Sequence, residues 1–442
     1  MNASPALVNA LRALEPAKRV GFVKRAAAGH VEASGPMANI GDICEIRGEA
    51  RSDALLAEVA AIRDDHIVLI PLDQTVAIAC ESRVELRGPL SQAPVGDAFR
   101  GRLVNALGLP LDGGGAILSE ANAPLVGAVM APMERLDPNI VLETGIRAID
   151  GLITIGRGQR VGIFSASGVG KTTLVRQLAT QVKCDRVVLC LVGERGREVE
   201  SVWREISADK EPDRYCCVAA TSDQSAPLRV RALYQGLALA EYWRERGQHV
   251  LLILDSVTRF AMALREIGLA AGAPPTLRAY TPNVFATLPR VVERCGAARS
   301  GGSITAIMTV LSETDDVDDP IVEVMKALLD GHIVLSRQLA EQGRFPAIDV
   351  NRSVSRQASA LMAPAHADSA RRVLAMLATY EESRVLVESG LYKAGANARI
   401  DEAIRENANI IGLLRQRVNE RAAFSDTASR LQALAARGPS YA

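Results

Sequence analysis

The sequence predicts an α/β chain in three parts: a small N-terminal β-barrel, a core built on a parallel sheet with helices on both faces, and a C-terminal helical domain. Three observations carry this. Short apolar runs at close spacing, separated by turn-forming Gly, Asp and Pro, fill residues 20–95, as barrels and sandwiches require. Strand-length apolar runs alternate with helix-length periodic stretches from about 146 to 350, the pattern of a parallel sheet covered on both sides. Beyond about 365 only helical patterns remain, in long segments rich in Ala, Leu, Arg and Glu.

Taken in order, residues 1–19 read as one short helix, with Leu7, Ala10, Leu11 and Leu14 on one face. It docks on its own domain or meets a partner, and the spacing leaves both open. Ile67-Val68-Leu69-Ile70 and Val84-Glu85-Leu86 read as barrel strands. Residues 96–145 are rich in Gly and Pro and include Gly108-Leu109-Pro110-Leu111-Asp112-Gly113; they read as a connecting segment with turns. Val161–Phe164, Val187–Val192, Cys216–Ala220 and Val250–Leu254 are core strands. Thr172–Val182 is a helix, and Leu228–Trp243 another, periodic through Leu228, Ala232, Leu233, Gly236, Leu237 and Ala240. The domains expected are 1–19, 20–95, 96–365 and 366–442.

Of the 442 residues, 48% are hydrophobic, enough for large cores, and Lys plus Arg equal Asp plus Glu at 51 each. A balanced chain has no global pull toward nucleic acid, and aromatics at 4% argue against base-stacking platforms. Cys44, Cys80, Cys184, Cys190, Cys216, Cys217 and Cys295 form no CxxC pair and are odd in number, which fits buried free thiols in a reducing cytoplasm. The five histidines make no ligand cluster. No apolar run approaches the roughly 18 residues of a membrane span, and no cationic-then-apolar leader opens the chain. The expected place of work is inside the cell.

The chemistry begins at Ser165-Ala166-Ser167-Gly168-Val169-Gly170-Lys171-Thr172-Thr173. Between a strand and a helix, this segment reads as a phosphate-binding loop whose backbone N–H groups wrap an anion at a helix N-terminus. Lys171 would reach the β- and γ-phosphates of a nucleoside triphosphate, and the Thr172 hydroxyl would bind Mg²⁺. The usual GxxxxGK[ST] pattern fails only at its first position, Ser165. Asp255, at the end of the run from His249 to Leu254, is placed to hold the Mg²⁺ hydration shell. Hydrolysis also needs a group that orients water. Glu194, directly after a parallel strand where such sheets place ligands, is the first candidate, and Glu198 the second. The competing reading pairs both carboxylates with Arg195 and Arg197 on the surface.

At this point the chain resembles the ATPases of type III protein export, relatives of the catalytic subunit of rotary ATP synthases. The resemblance rests on Gly193–Val199, Asp255-Ser256-Val257-Thr258-Arg259 and Asp330–Arg337, with Glu143–Asp150, Pro289-Arg290 and Phe345–Val350 in support. It runs from about residue 95 to 420 and is weakest over the first 20. It implies a RecA-like P-loop ATPase core and a homohexameric ring with ATP and Mg²⁺ between subunits. Ser167, Gly168, Val169, Gly170, Lys171, Thr172 and Thr173 match the phosphate cradle. Glu194 matches the catalytic carboxylate and Arg195 a γ-phosphate contact. Glu198 and Asp255 match metal-shell groups, and Arg259 sits near the attacking water. Arg356, in Ser353-Val354-Ser355-Arg356, matches the arginine finger of the adjacent subunit. Phe345 and Tyr392 match two aromatics that sandwich adenine; packed aromatics, and a structural ion pair for Arg259, are the competing readings. Two departures stand out: Ser165-Ala166 replaces Ala-Gly or Gly-Gly, and Arg278-Ala279-Tyr280-Thr281-Pro282 stands where relatives often have Arg-Gly-Tyr-Pro-Pro.

The resemblance implies the motor of a flagellar export apparatus, peripheral at the inner membrane. Stator, regulator and stalk proteins, chaperone–substrate complexes and a membrane export gate are its expected partners, with no nucleic acid. The injectisome branch shares almost every motif. Arg246–Val250 and Gly301–Ala306 favour the flagellar one. A rotary synthase subunit would need a noncatalytic paralogue in its ring, and a nucleic-acid translocase is disfavoured by charge and aromatics. A noncatalytic regulatory subunit is disfavoured by Glu194.

Overall fold

The structure, a computed structural model, describes residues 20–27, 29–48, 54–73, 78–312 and 319–436. The helix expected over residues 1–19 lies outside them.

Strands β1 (Val20–Ala27), β2 (His30–Ala33), β3 (Asp42–Arg47), β4 (Leu55–Ile62), β5 (Ile67–Pro71) and β6 (Arg83–Pro89) close into an antiparallel barrel in the order β1-β2-β5-β4-β3-β6. Period-two alternation fills it: Val23, Val31, Cys44, Ile46, Leu55, Ala57, Val59, Leu69 and Val84 point inward and are buried.

The segment 96–145 is more than a connection. β7 (Gln92–Val95) pairs with β9 (Ala121–Pro124), β8 (Arg102–Val104) joins the edge of the main sheet, and β10 (Arg135–Leu136) pairs with β15 (Gly296–Ala298). Each is two to four residues long, too short for a periodic signal.

The remaining strands are β11 (Arg160–Ser165), β12 (Arg186–Glu194), β13 (Tyr215–Thr221), β14 (His249–Asp255), β16 (Ser303–Leu311), β17 (Gly331–Leu335) and β18 (Ile348–Ser355). The main sheet runs β18-β17-β11-β16-β14-β12-β13-β8, parallel throughout except for β18. Both faces are covered, so its strands read as continuous apolar runs. Val188, Cys190 and Val192 enter one core, and Val187, Leu189 and Leu191 the other.

The helices, in order, are α1 (Arg147–Leu152), α2 (Lys171–Gln181), α3 (Gly196–Ser207), α4 (Ala226–Arg244), α5 (Val257–Ala270), α6 (Pro282–Glu293), α7 (Pro320–Leu328), α8 (Arg337–Glu341), α9 (Ala358–Leu361), α10 (Pro364–Glu388), α11 (Ala398–Leu414) and α12 (Phe424–Ala435). α4 to α7 pack on the first core, with Trp243 and Phe260 fully buried. α1 to α3 and α10 to α12 contribute to the second. No helix among the described residues is long and apolar enough to cross a membrane.

The C-terminal helices are locked on by buried polar contacts. Arg147 Nε donates to the Leu413 carbonyl (2.6 Å), and its other nitrogens bond Glu420 and the Arg415 carbonyl. Gln416 accepts from Arg147 N (2.9 Å) and donates to Gly145 O (2.6 Å). Gln181, on the helix that follows the phosphate loop, donates to Val418 O at 3.0 Å.

Candidate active site

Parallel strands deliver their ligands at their carboxyl ends, and three ends converge here. β11 ends at Ser165 and runs into the loop, β12 ends at Glu194, and β14 ends at Asp255. Gly170 sits at φ 95° as the N-cap of α2, in the left-handed region, where a side chain would be strained. Ser165 lies at the buried end of β11 and is not among the residues of positive φ. Glycine at the first position is therefore not required by the backbone, and the departure is accommodated. Val169 is buried beneath the loop, while Ser167, Gly168 and Thr173 are exposed and Thr172 half-buried.

Lys171 is the hub. Its Nζ bonds Asp255 Oδ1 and lies 3.7 Å from Glu194 Oε1. Thr309, in the neighbouring strand β16, donates its hydroxyl to the same Asp255 oxygen at 2.7 Å. Arg259, in the first turn of α5, places Nε 3.3 Å from Glu194 Oε1 and donates Nη1 to the Gly193 carbonyl at 2.5 Å. This explains Gly193: a Cβ there would stand 2.9 Å from Arg259 Cδ. Glu194 is 5% exposed and pairs with Lys171 and Arg259 rather than with Arg195 or Arg197, which are exposed on α3 and its N-cap. Burial, and then the Asp255 charge, push the Glu194 carboxyl up to about 7 against the pull of Lys171 and Arg259. The half-buried Glu198 also hydrogen-bonds Glu194. Although it is ion-paired with Lys171 and Arg259, the buried Glu194 Oε1 accepts no hydrogen bond among the described residues. Such an oxygen is free to accept from a water.

Beside the loop lies a cleft of about 1020 Å³, lined by Gly170, Thr173, Gln177, Phe345, Arg417 and Val418 among others. The Phe345 ring would lie 3.7 Å from a Cβ on Gly170. Tyr392 is not on this wall. Its hydroxyl lies 2.9 Å from Asn397 O and 3.0 Å from Asp401 Oδ1, where the loop after α10 enters the first turn of α11. Arg356 is also distant from its own chain's loop. Ser355 pairs with Gly331 and Gly331 with Val161, so Arg356 stands beside the start of β11, four residues or ~13 Å along the strand from Ser165. It is exposed, and its Nη2 donates to Lys326 O at 3.1 Å.

Among the described residues no group of three or more His, Cys, Asp or Glu side chains could hold a metal by itself. The residues present fit Mg²⁺ of the kind that relies on substrate phosphates and waters with one or two protein groups: Thr172 and Asp255 are at hand, with Glu198 behind Glu194. Thr309 and the Arg147–Gln416 clamp escaped the sequence reading. A threonine near the end of the apolar run of β16, and an arginine opening a buried helix, were the available signals.

A phosphate loop at the end of a central parallel strand, with a lysine between two buried carboxylates, defines a nucleoside triphosphatase. The ATP synthase alpha/beta family, nucleotide-binding domain, matches residues 145–355, and the T3SS EscN ATPase C-terminal domain matches 362–433. The chain is 42% identical to the flagellum-specific ATP synthase of Bacillus subtilis over 97% of this chain and 98% of that one. It is equally 42% identical to the type 3 secretion system ATPase of Xanthomonas euvesicatoria, covering 94% of each. Its fold matches the assembled ATPase EscN in complex with its central stalk EscO, from the enteropathogenic E. coli type III secretion system (TM-score 0.85, 35% identity, 94% of this chain and 100% of that one). The chain belongs to the family of flagellum-specific ATP synthases and type 3 secretion system ATPases, and it is an ATP-hydrolysing enzyme of that family.

Proposed function

We propose that this protein is the ATPase motor of a flagellar type III export apparatus, coupling ATP turnover to release of chaperones and export of unfolded substrate proteins. The observation that carries the catalytic part is the buried Lys171–Asp255–Glu194 cluster at the foot of the loop. ATP enters with its phosphates over Ser167–Gly170, and Lys171 exchanges its carboxylate partner for phosphate oxygens. Thr172, Asp255 and Glu198 would hold Mg²⁺, which when bound neutralises charge on the phosphates. Glu194 Oε1 accepts from the attacking water and orients it, and Arg259 holds that carboxylate in place. Arg195 contacts the γ-phosphate. Phe345 takes one face of the base, and Val418, which lines the same cleft, offers it a second apolar contact.

Arg356 serves a neighbouring copy in a homohexameric ring. Its place at the far end of β11 supports donation in trans, and the assembled state of EscN supports a ring. The stalk complex of that relative supports a stalk partner here. Stator and regulator proteins, chaperone–substrate complexes and a membrane gate complete the proposed set, with the ATPase in the cytoplasm at the inner membrane.

Flagellar assignment rests on Arg246–Val250 and Gly301–Ala306. They form one unit at the amino end of the sheet: Ser303 N donates to Gln248 O at 3.0 Å, and Val250 pairs with Ile304. The equal identity to a type 3 secretion ATPase favours the injectisome as the second reading. The test is a gene deletion complemented with Lys171→Ala. The flagellar reading expects hook and filament proteins to stay in the cell and motility to be lost. Unchanged motility with loss of host-directed secretion replaces it with the second.

A further inference from the structure

We infer that Gln159 is the positioning residue that sets Arg356 for the neighbouring active site; this rests on the proposal that Arg356 acts in trans. Gln159 is fully buried, yet every hydrogen-bonding atom of its amide is engaged. Its Oε1 accepts from Gly156 N at 2.9 Å. Its Nε2 donates to Ser355 Oγ at 3.0 Å and to the Asp330 carbonyl at 3.2 Å. These last two groups flank Arg356. Ser355 precedes it in the chain, and the Asp330 carbonyl also accepts from Arg356 N at 2.9 Å.

The surrounding contacts hold the same turn from other sides. Ser355 Oγ donates to Thr154 O at 2.8 Å. Arg160 grips the Asp330 carboxylate through its backbone N–H (3.0 Å), Nε (2.9 Å) and Nη2 (2.8 Å). Gln159 immediately precedes β11, the strand that ends at the phosphate loop. One buried amide therefore joins the start of the nucleotide-bearing strand to the base of the arginine offered to the next subunit. A half-satisfied buried network is costly, so losing the two Nε2 bonds shifts the Arg356 turn. The transition-state charge is sensitive to such displacement.

Gln159→Glu is the near-isosteric test. It keeps the acceptor toward Gly156 and sets a carboxylate oxygen against the Asp330 carbonyl. Rings of Gln159→Glu should lose at least about tenfold in turnover, bounded by the ~10³–10⁵ that a finger supplies, and bind a fluorescent ATP analogue as the parent does. Mixed rings then separate the two directions of action. Glu194→Gln subunits have a dead site and an intact finger, and Gln159→Glu subunits have an intact site. A one-to-one mixture should recover activity that neither has alone, up to about a quarter of the parent's in randomly mixed head-to-tail rings.

Recovery supports the inference. Parent-like turnover of Gln159→Glu overturns it, and so does a defect that mixing does not repair while Arg356→Ala mixed with Glu194→Gln recovers. If that control mixture also fails, the finger reading falls and takes the inference with it. Should Gln159→Glu not assemble, Ser355→Ala removes one of the same bonds from the other side and is scored by the same mixing outcomes.

Discussion

Replacing Glu194 by Gln separates two roles that its carboxylate combines. The side chain is buried, and its folded-state value of about 7 lies above the ordinary 4.5 of a glutamate, chiefly through burial and then through Asp255. The folded chain therefore binds this proton more tightly than the unfolded one. The stability that the proton confers is present below about 4.5 and lost as the pH rises through about 7. At pH 8 the ionised carboxylate costs the nucleotide-free protein up to about 3 kcal/mol, taking 1.36 kcal/mol per pH unit; at pH 5 the cost is below about 1 kcal/mol. Glutamine is neutral at both. With an unfolding entropy of roughly 2.1 cal/mol/K per residue, 3 kcal/mol in this chain reads as a rise of about 3 °C in Tm. Turnover should fall ~10²–10⁴-fold, the usual scale for losing a positioned base, while an ATP analogue still binds. The assays are thermal melts of parent and Glu194→Gln at pH 8 and pH 5, and steady-state phosphate release. Turnover within a few-fold of the parent, or a Tm gain equal at the two pH values, refutes the reasoning.

Other predictions are simpler. Arg356→Ala should lower ring turnover by ~10³-fold or more and leave ATP binding to the monomer unchanged, as read by a fluorescent analogue; equal loss in binding refutes trans action. His249 is buried with Nε2 3.0 Å from Thr305 Oγ1, and burial, then Arg157, hold it down to about 4 from 6.5. The unfolded chain takes up that proton first, so stability present above pH 6.5 is lost as the pH falls through about 4, by about 3 kcal/mol at the low end; His249→Gln should flatten this slope in melts from pH 7 to pH 4.5. Ala279 holds φ 58° beside Arg278 at φ 52°, a left-handed backbone that favours glycine. Ala279→Gly should stabilise the protein by about 0.5–1 kcal/mol, the left-handed penalty less the entropy of the freer unfolded chain, measured as a small upward shift in denaturation midpoint.

Local information placed most of this protein. The runs Val187–Val192 and Val250–Leu254 were legible because a strand buried on both faces must be apolar throughout, and the loop was legible because only glycine tolerates φ 95° at Gly170. Glu194 and Asp255 were legible because they end those runs. The same local signals could not show that Lys171 lies between the two carboxylates. That depends on strand order: β16 intervenes between β11 and β14, and supplies Thr309. Nor could they place Tyr392, which Asp401 and Asn397 hold within its own loop, or fix Arg356 beside the start of β11 rather than its end. Hydrophobic periodicity reports which face of an element is buried, a property of near neighbours in the chain. Which strand ends and side chains meet is set by pairings across 54 to 271 residues, and only the assembled sheet and its C-terminal helices decide them.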